Sequence, residues 1–201
     1  MLTEIERRVT SSGGVWSALA VGPLVVTSVI AANLATAATP VSVRLRKAPG
    51  STQIVPMDLL PGAEGQQGTR LRLVVLPLMA GDSLDVRSDA QVSWLALGAE
   101  LISARQFNRV LSAAGDAWAT IADQPGSVTG LLAANLGLGE AVLSARVLRA
   151  GNATSMVVAS ERIEEGASRR ITPVCVLAAG ESLQVRARGT VDCIATGVLA
   201  S

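Results

Sequence analysis

Residues 26–34 read VTSVIAANL, and residues 128–136 read VTGLLAANL. The spacing of 102 residues that relates these stretches also relates Trp16 to Trp118 and Arg44 to Arg146. Further along, GDSLDVR at residues 81–87 returns as GESLQVR at 180–186, now 99 residues later. One pattern therefore occurs twice in the chain, and this repeat decides the expected fold.

The repeat predicts two domains, residues 1–102 and 103–201. The spacing changes by three residues in a stretch rich in glycine, where insertions and deletions are tolerated because such segments form loops. Each copy has about the commonest size of a protein domain. A period this long indicates two domains and not a solenoid, whose repeats span roughly 20–50 residues.

Composition argues against several classes of function. Apolar residues make up 49% of the chain, but no run reaches the ~18 residues that a membrane-spanning helix needs. The net charge is only +1, which offers no electrostatic attraction to nucleic acid or to an anionic membrane. Aromatic residues are 2%, too few for base-stacking platforms. The N-terminal residues lack the apolar segment of a secretion signal, so we expect synthesis in a cytoplasm.

Alternating apolar and polar residues predict strands. Residues 41–46 (VSVRLR) and 83–88 (SLDVRS) alternate strictly, and their counterparts in the second copy do the same. We predict six or seven short strands per copy, separated by glycine turns. The expected fold class is all-β, with two tandem β-sandwiches of immunoglobulin-like or jelly-roll type.

The segment that begins each copy has a different pattern. Residues 2–9 and 104–111 carry mixed charge, with Ile5 and Val9 four residues apart in the first and Phe107 and Leu111 in the second. This spacing fits one face of a helix, so we predict a short helix before each sandwich. Ile5 and Phe107 are then candidate interface residues, because such a helix could dock on a partner.

The turn at residues 81–84 spells the GDSL signature of a family of esterases, in which histidine activates the serine. The chain contains no histidine, and a serine nucleophile requires a general base within reach. The equivalent turn reads GESL, so both copies share a turn and not a catalytic group. We expect no enzyme activity, no catalytic residue, no cofactor and no metal site, since Asp82, Asp85 and Asp89 are better explained as a solvated strand face.

The two cysteines, Cys175 and Cys193, occur only in the second copy, where they replace Leu76 and Trp94 of the first. Apolar counterparts favour buried thiols that act as small hydrophobic residues. A disulfide across neighbouring strands is the alternative if the protein reaches an oxidising environment.

Two further residue types are repeated. Trp16 and Trp118 precede the first long strand of each copy, either as structural anchors under the sandwich or as exposed anchors that dock on a partner. Asn33 and Asn135 end that strand, where asparagine tolerates turn geometry and bonds to the local backbone.

The order of a strand ending in Ala-Ala-Asn, a β-rich middle, an Ala-Gly-Asp/Glu-Ser-Leu turn, an alternating strand and a closing strand resembles the β-sandwich modules of tailed-phage virion accessory proteins and of phage-like particles. The resemblance implies a non-enzymatic virion component, placed at the neck or collar, at a fibre attachment or in the tail. It also implies a homo-oligomer that contacts portal, neck, capsid, tail or fibre proteins. Such a protein is made in the host cytoplasm and ends in the virion.

Other functions stay open at this point. The protein could be a capsid decoration protein, or a carbohydrate-binding module for host attachment. The second alternative usually needs exposed aromatic residues, and the chain has only three Trp, one Phe and no Tyr.

Overall fold

The structure is a computed structural model that describes residues 4–47, 50–62, 69–100, 105–172 and 175–200. Most residues in these ranges lie in β-strands joined by turns and loops, and the one helical element among them is a three-residue 3-10 turn at Ala150–Asn152. No helix within them has the length and apolar character needed to cross a membrane. The chain divides into two compact units, unit 1 (Met1–Ile102) and unit 2 (Ser103–Ser201).

Unit 1 contains two four-stranded antiparallel sheets. The strands are β1 (Glu4–Ser11), β2 (Ser17–Val21), β3 (Leu24–Asn33), β4 (Thr39–Lys47), β5 (Gly50–Leu60), β6 (Thr69–Leu78), β7 (Ser83–Ser88) and β8 (Val92–Glu100). One sheet has the order β1-β8-β3-β6, and the other has the order β2-β7-β4-β5.

Unit 2 repeats this arrangement. Its strands are β9 (Gln106–Ala113), β10 (Ala119–Ala122), β11 (Gly126–Asn135), β12 (Ala141–Leu148), β13 (Thr154–Ile163), β14 (Ser168–Ile171), β15 (Cys175–Leu177), β16 (Ser182–Arg188) and β17 (Val191–Leu199). One sheet runs β9-β17-β11-β14, with β15 also paired to β11, and the other runs β10-β16-β12-β13. Strands β14 and β15 together occupy the place that β6 has in unit 1.

The strand orders distinguish between the two expected types of sandwich. Eight strand positions in two four-stranded sheets, with most neighbours distant in sequence, fit the jelly-roll alternative. An immunoglobulin-like domain distributes seven or nine strands differently. The core lies between the two sheets: in unit 2 it buries Leu143 and Val185 from one sheet together with Val128 and Ala195 from the other. These are alternating inward positions, as the sequence pattern requires.

The predicted helices are wrong. Strand β1 pairs along its whole length with β8, from Glu4 to Ser11, and β9 pairs with β17. A spacing of four residues, as between Ile5 and Val9, also places two side chains on one face of a strand, so it cannot separate the two structures. Pairing with a long partner strand decided the outcome. Residues 2–3 and 104, where the predicted helices begin, lie outside the described residues.

Both units carry a bulge at the same place. The pairing of β3 with β8 shifts between Val26 and Ser28, and the pairing of β11 with β17 shifts between Val128 and Gly130. The extra residue is a threonine in each unit, and its hydroxyl donates to a carbonyl of the partner strand at 3.2 Å and 3.3 Å, respectively. A bulge of this kind bends the strand and increases its twist.

A glycine faces each bulge because the backbones approach closely there. A Cβ placed on Gly197 would lie 2.1 Å from the carbonyl oxygen of Ser127 and 2.7 Å from the ring of Phe107. A Cβ on Gly98 of unit 1 would lie 2.2 Å from the carbonyl oxygen of Val25. Only glycine fits at these two strand positions.

Candidate functional site

Asn135 joins two segments that are distant in sequence. Its side-chain nitrogen donates to the carbonyl oxygens of Gly139 at 2.7 Å, Ile163 at 3.0 Å and Glu164 at 3.1 Å. Its side-chain oxygen accepts from the backbone N–H of Gly137 at 2.9 Å. We call these four bonds the asparagine network of unit 2. They fix the loop after β11 to the end of β13.

Asn33 makes the same network in unit 1. Its side-chain nitrogen donates to the carbonyl oxygens of Ala37, Leu60 and Pro61, and its oxygen accepts from the N–H of Ala35. The bond to the residue two positions ahead is the local one expected from sequence. The bonds to the second segment were not foreseen, because nothing in the sequence marks carbonyl groups 27 to 29 residues away as partners.

The matched tryptophans lie on the outer face of the second sheet of each unit. Trp16 stacks on the guanidinium of Arg44 at 4.2 Å, measured to the ring centroid, and Trp118 stacks on Arg146 at the same distance and on Arg186 at 4.8 Å. Arg44 alternates with buried residues of β4 and therefore points away from the core. Both indoles are half-buried, and neither belongs to the buried core. Each holds an arginine flat against the sheet.

The other two candidate interface residues are placed differently. Phe107 is buried in the core of unit 2, with only 5% of its surface exposed, and Ile5 is half-buried on β1. The sequence-based choice of Phe107 rested on the helix that β9 replaces. Its ring instead packs beside Gly197 under the bulge.

The serine of the GDSL turn is part of a buried polar cluster. Ser83 is 1% exposed, its hydroxyl donates to Asp85 at 2.7 Å, and it accepts from Arg46 at 3.0 Å. Asp85 is also buried and accepts two bonds from Arg44 at 3.2 Å. Arg46 also contacts Asp85, at 3.3 Å, so this carboxylate lies between two arginines and not on the solvated strand face expected from the sequence.

Unit 2 has lost the carboxylate of this cluster. The position of Asp85 is taken by Gln184, whose side-chain oxygen accepts from Arg146 at 3.0 Å. An amide satisfies the hydrogen bond without balancing the charge. The loss is matched by a second change, because Arg46, which also contacts Asp85, is replaced in unit 2 by the neutral Leu148.

A cavity of about 170 Å³ lies on this outer face. We call it the Arg186 pocket; its lining residues are Asp116, Val142, Ser144, Ala159, Ser160, Arg186 and Arg188. The carboxylate of Asp116 contacts the Nε of Arg186 at 3.3 Å and the Nε of Arg188 at 3.2 Å. The sequence pattern does not indicate this pocket, although the two arginines lie two residues apart on one face of β16. Their partner, Asp116, is about 70 residues away in the chain.

The described part of the chain brings no three carboxylate, thiol or imidazole side chains together as a metal site would require.

The two cysteines are buried, unbridged and far apart along β11. Cys175 on β15 lies opposite Val128, whereas Cys193 on β17 lies opposite Ala133 on the other side of that strand. Five strand positions separate their partners by about 16 Å. A disulfide needs Cα atoms within about 7 Å, so β11 keeps the thiols apart.

We expect both thiols to resist alkylation in the native protein. Burial raises the pKa of both thiols. For Cys193 the pKa is raised to about 12, because the nearby Asp192 carboxylate adds to the effect of burial. For Cys175 the positive charge of Arg149 partly offsets the increase. The thiolate is the reactive form, so the raised pKa values and the burial both slow alkylation. Mass spectrometry after iodoacetamide treatment should find no label on folded protein and two labels after unfolding in urea. A native mass two daltons low that reductant restores would instead indicate a bridge.

The fold places this protein in the all-β class, with antiparallel sheets paired within each unit, and the Arg186 pocket is a polar site on the surface of unit 2. No protein-family model matches the chain, and no curated protein matches its sequence. The solved structures similar to this chain include three at 10% identity. They are the PBSX exported protein XepA (97% of this chain and 86% of that chain, TM-score 0.31), Sulfolobus turreted icosahedral virus (98% and 89%, 0.32) and the CBM22-1-CBM22-2 tandem domain of Paenibacillus barcinonensis Xyn10C (98% and 87%, 0.29). At these identities and TM-scores the likenesses carry no argument about function.

Proposed function

We propose that this protein is a structural component of a phage or phage-like virion, acting through protein–protein interfaces at the neck, collar, fibre attachment or tail. In this proposal residues 1–102 and 103–201 are two jelly-roll modules that arose by internal duplication. The modules contact other virion proteins and further copies of the chain. The matching strand orders and asparagine networks of the two units support the duplication.

The observation that carries the proposal is that the two units share one arrangement of strands but expose apolar side chains at different positions. Leu138 of unit 2 is 98% exposed, and its counterpart in unit 1 is the polar, exposed Thr36. Val21 of unit 1 is exposed, and its counterpart in unit 2 is the charged Asp123. A duplicated frame that presents apolar groups at non-equivalent positions is suited to two different partner surfaces.

Leu138 has the properties of a docking side chain. It lies at the tip of the loop that the asparagine network of unit 2 holds at Gly137 and Gly139. The N–H of Gly139 also donates to the carboxylate of Glu165 at 3.0 Å. The loop is therefore ordered before any partner arrives, which lowers the entropic cost of binding.

Substitution of Leu138 tests the proposal in particles. A host strain that lacks this gene is supplied with the wild-type protein, with Leu138→Asp, or with the matched control Thr36→Asp, and purified particles are quantified by mass spectrometry. We expect a fixed copy number for wild type and Thr36→Asp, and at least a tenfold loss for Leu138→Asp, because a charge in an apolar contact removes a binding hot spot. All three proteins should have the same melting temperature, since surface substitutions change stability little.

The absence of wild-type protein from washed particles would overturn the virion proposal. Equal incorporation of Leu138→Asp and wild type would overturn the role of the loop. Light scattering of the purified wild-type protein at several concentrations provides a second readout, for which we expect a defined oligomer, as closed symmetric assemblies require.

Glycan binding is the second candidate function. It is favoured by the Arg186 pocket, where charged groups and hydroxyls surround a small cavity and Trp118 stacks on one of the lining arginines. Concave sites with a few convergent polar groups are typical of small-ligand binding.

A further inference from the structure

The two units differ in charge where the Arg186 pocket lies. Unit 1 has Gly14 at the position of Asp116, and its Arg87 pairs with Asp89 at 3.9 Å. Unit 2 has Arg188 at the position of Asp89, so two arginines surround one carboxylate. The pocket thus carries one more positive than negative charge, whereas the three equivalent side-chain positions of unit 1 are balanced.

Asp116 has a left-handed backbone conformation at a position where unit 1 has glycine. Its φ is +59°, in the left-handed region, and the equivalent Gly14 has a φ of +69°. Glycine adopts this conformation freely, whereas other residues are disfavoured there. Strain kept at one place in a fold often marks a functional group. Here it holds a carboxylate between two arginines at the pocket wall.

The arginines keep hydrogen-bond donors for a ligand. Asp116 contacts each guanidinium at Nε, and among the described residues the terminal amino groups of Arg186 and Arg188 have no hydrogen-bond partner. Trp118 stacks on Arg186 and limits its motion. A guanidinium fixed in this way presents paired N–H groups that match the two oxygens of a carboxylate.

The other lining residues of the Arg186 pocket add hydrogen-bond acceptors and apolar surface. The hydroxyl of Ser144 donates to the carbonyl oxygen of Ala159 at 3.0 Å, so its oxygen is left as an acceptor. Asp116 offers further acceptor positions, and Ser160 offers a second hydroxyl. Val142 and Ala159 supply apolar surface. A ligand that fits must combine an anionic group with hydroxyls on a compact frame.

We propose that the Arg186 pocket binds a uronic acid, the carboxylate-bearing form of a hexose. The carboxylate lies against the amino groups of Arg186 and Arg188, and the ring hydroxyls donate to Asp116 and Ser144. A phosphate fits less well, because its higher negative charge would face the carboxylate of Asp116. The inference rests on the second candidate function, glycan binding, and not on the virion role.

Calorimetric titration of the full chain with galacturonate tests the inference, with galactose and inorganic phosphate as comparison ligands. We expect saturable binding of galacturonate that weakens as salt is added, and at least tenfold weaker binding of galactose and phosphate. Arg186→Gln should weaken galacturonate binding at least tenfold. The matched control Arg87→Gln, at the equivalent position of unit 1, should leave it within twofold.

Arg188→Ala is a second variant, and this side chain is exposed enough for its loss to leave the fold intact. Circular dichroism and thermal unfolding verify folding of each protein. Equal binding of galactose and galacturonate would overturn the acidic specificity but keep the glycan role. Absence of binding by all sugars, or equal loss in Arg186→Gln and Arg87→Gln, would overturn both, while the incorporation of Leu138→Asp into particles still tests the virion role separately.

Discussion

Replacement of Asn135 by aspartate should destabilise the protein by about 4 kcal/mol or more. The introduced carboxylate would face the carbonyl oxygens of Gly139, Ile163 and Glu164 at 2.7 to 3.1 Å, with no N–H to donate. The site is 1% exposed, so water cannot compensate. A buried unpaired charge and buried carbonyl groups without hydrogen bonds are among the largest losses of folding stability that one substitution can cause.

The measurement is equilibrium unfolding in urea, with hydrogen exchange to locate the effect. Asn135→Ala should cost less, about 3 kcal/mol, because it removes the bonds without adding charge. Asn33→Asp should reproduce the large effect in unit 1. The exposed Asn152 provides the control, and Asn152→Asp should change stability by less than ~0.5 kcal/mol. Similar values for Asn135→Asp and Asn152→Asp would contradict the importance of the network.

Gly197→Ala should have the second large effect, a loss of about 3 kcal/mol or more. The added methyl group would lie 2.1 Å from the backbone oxygen of Ser127, and a backbone atom in a paired strand cannot move aside as a flexible side chain can. Relief would require separating β11 from β17 at the bulge. Overpacking against backbone in this way costs more than the same added volume at a site that can adjust.

Gly50→Ala is the matched control, because a Cβ at Gly50 meets no atom within 4 Å. We expect its melting temperature to equal that of wild type, and Gly98→Ala to resemble Gly197→Ala. Calorimetry of the four proteins provides the comparison. A normal melting temperature for Gly197→Ala would mean that the strands open at the bulge without cost.

Strands with strict alternation were predictable from sequence. The pattern at residues 83–88 became β7, and its repeat 99 residues later became β16. The alternation of apolar and polar residues indicates which side chains face the core, and it can be read from the few residues of one strand. The repeat also transfers each assignment to the second copy, which strengthens it. The prediction of all-β structure follows from these two sources.

The terminal segments failed because their signal was ambiguous. Ile5 and Val9 satisfy a helical and an extended pattern equally, and the choice was made by β8, whose backbone is paired by β1. The same limit applies to the cysteines: their sequence positions suggested neighbouring strands, but only the register revealed that β11 lies between them. Pairing partners are not encoded locally.

The Arg186 pocket could have been found in part. Aligning the two copies places Arg188 against Asp89 and Asp116 against Gly14, so the change of charge is visible in the sequence. What the alignment does not contain is that Asp116 and Arg188 meet. Their contact depends on the turn before β10 folding over the end of β16.

The asparagine network of unit 2 also has a consequence for kinetics. Because the loop that carries Leu138 is anchored at both ends, a partner would meet it already in its binding shape. The encounter would need no prior search among loop conformers, and association would approach a simple collision of rigid surfaces. Weakening the anchor through Asn135 would then slow the association rate as well as lower stability. Asn135, which fixes the loop after β11 to the end of β13, would therefore also influence the rate of association with a partner.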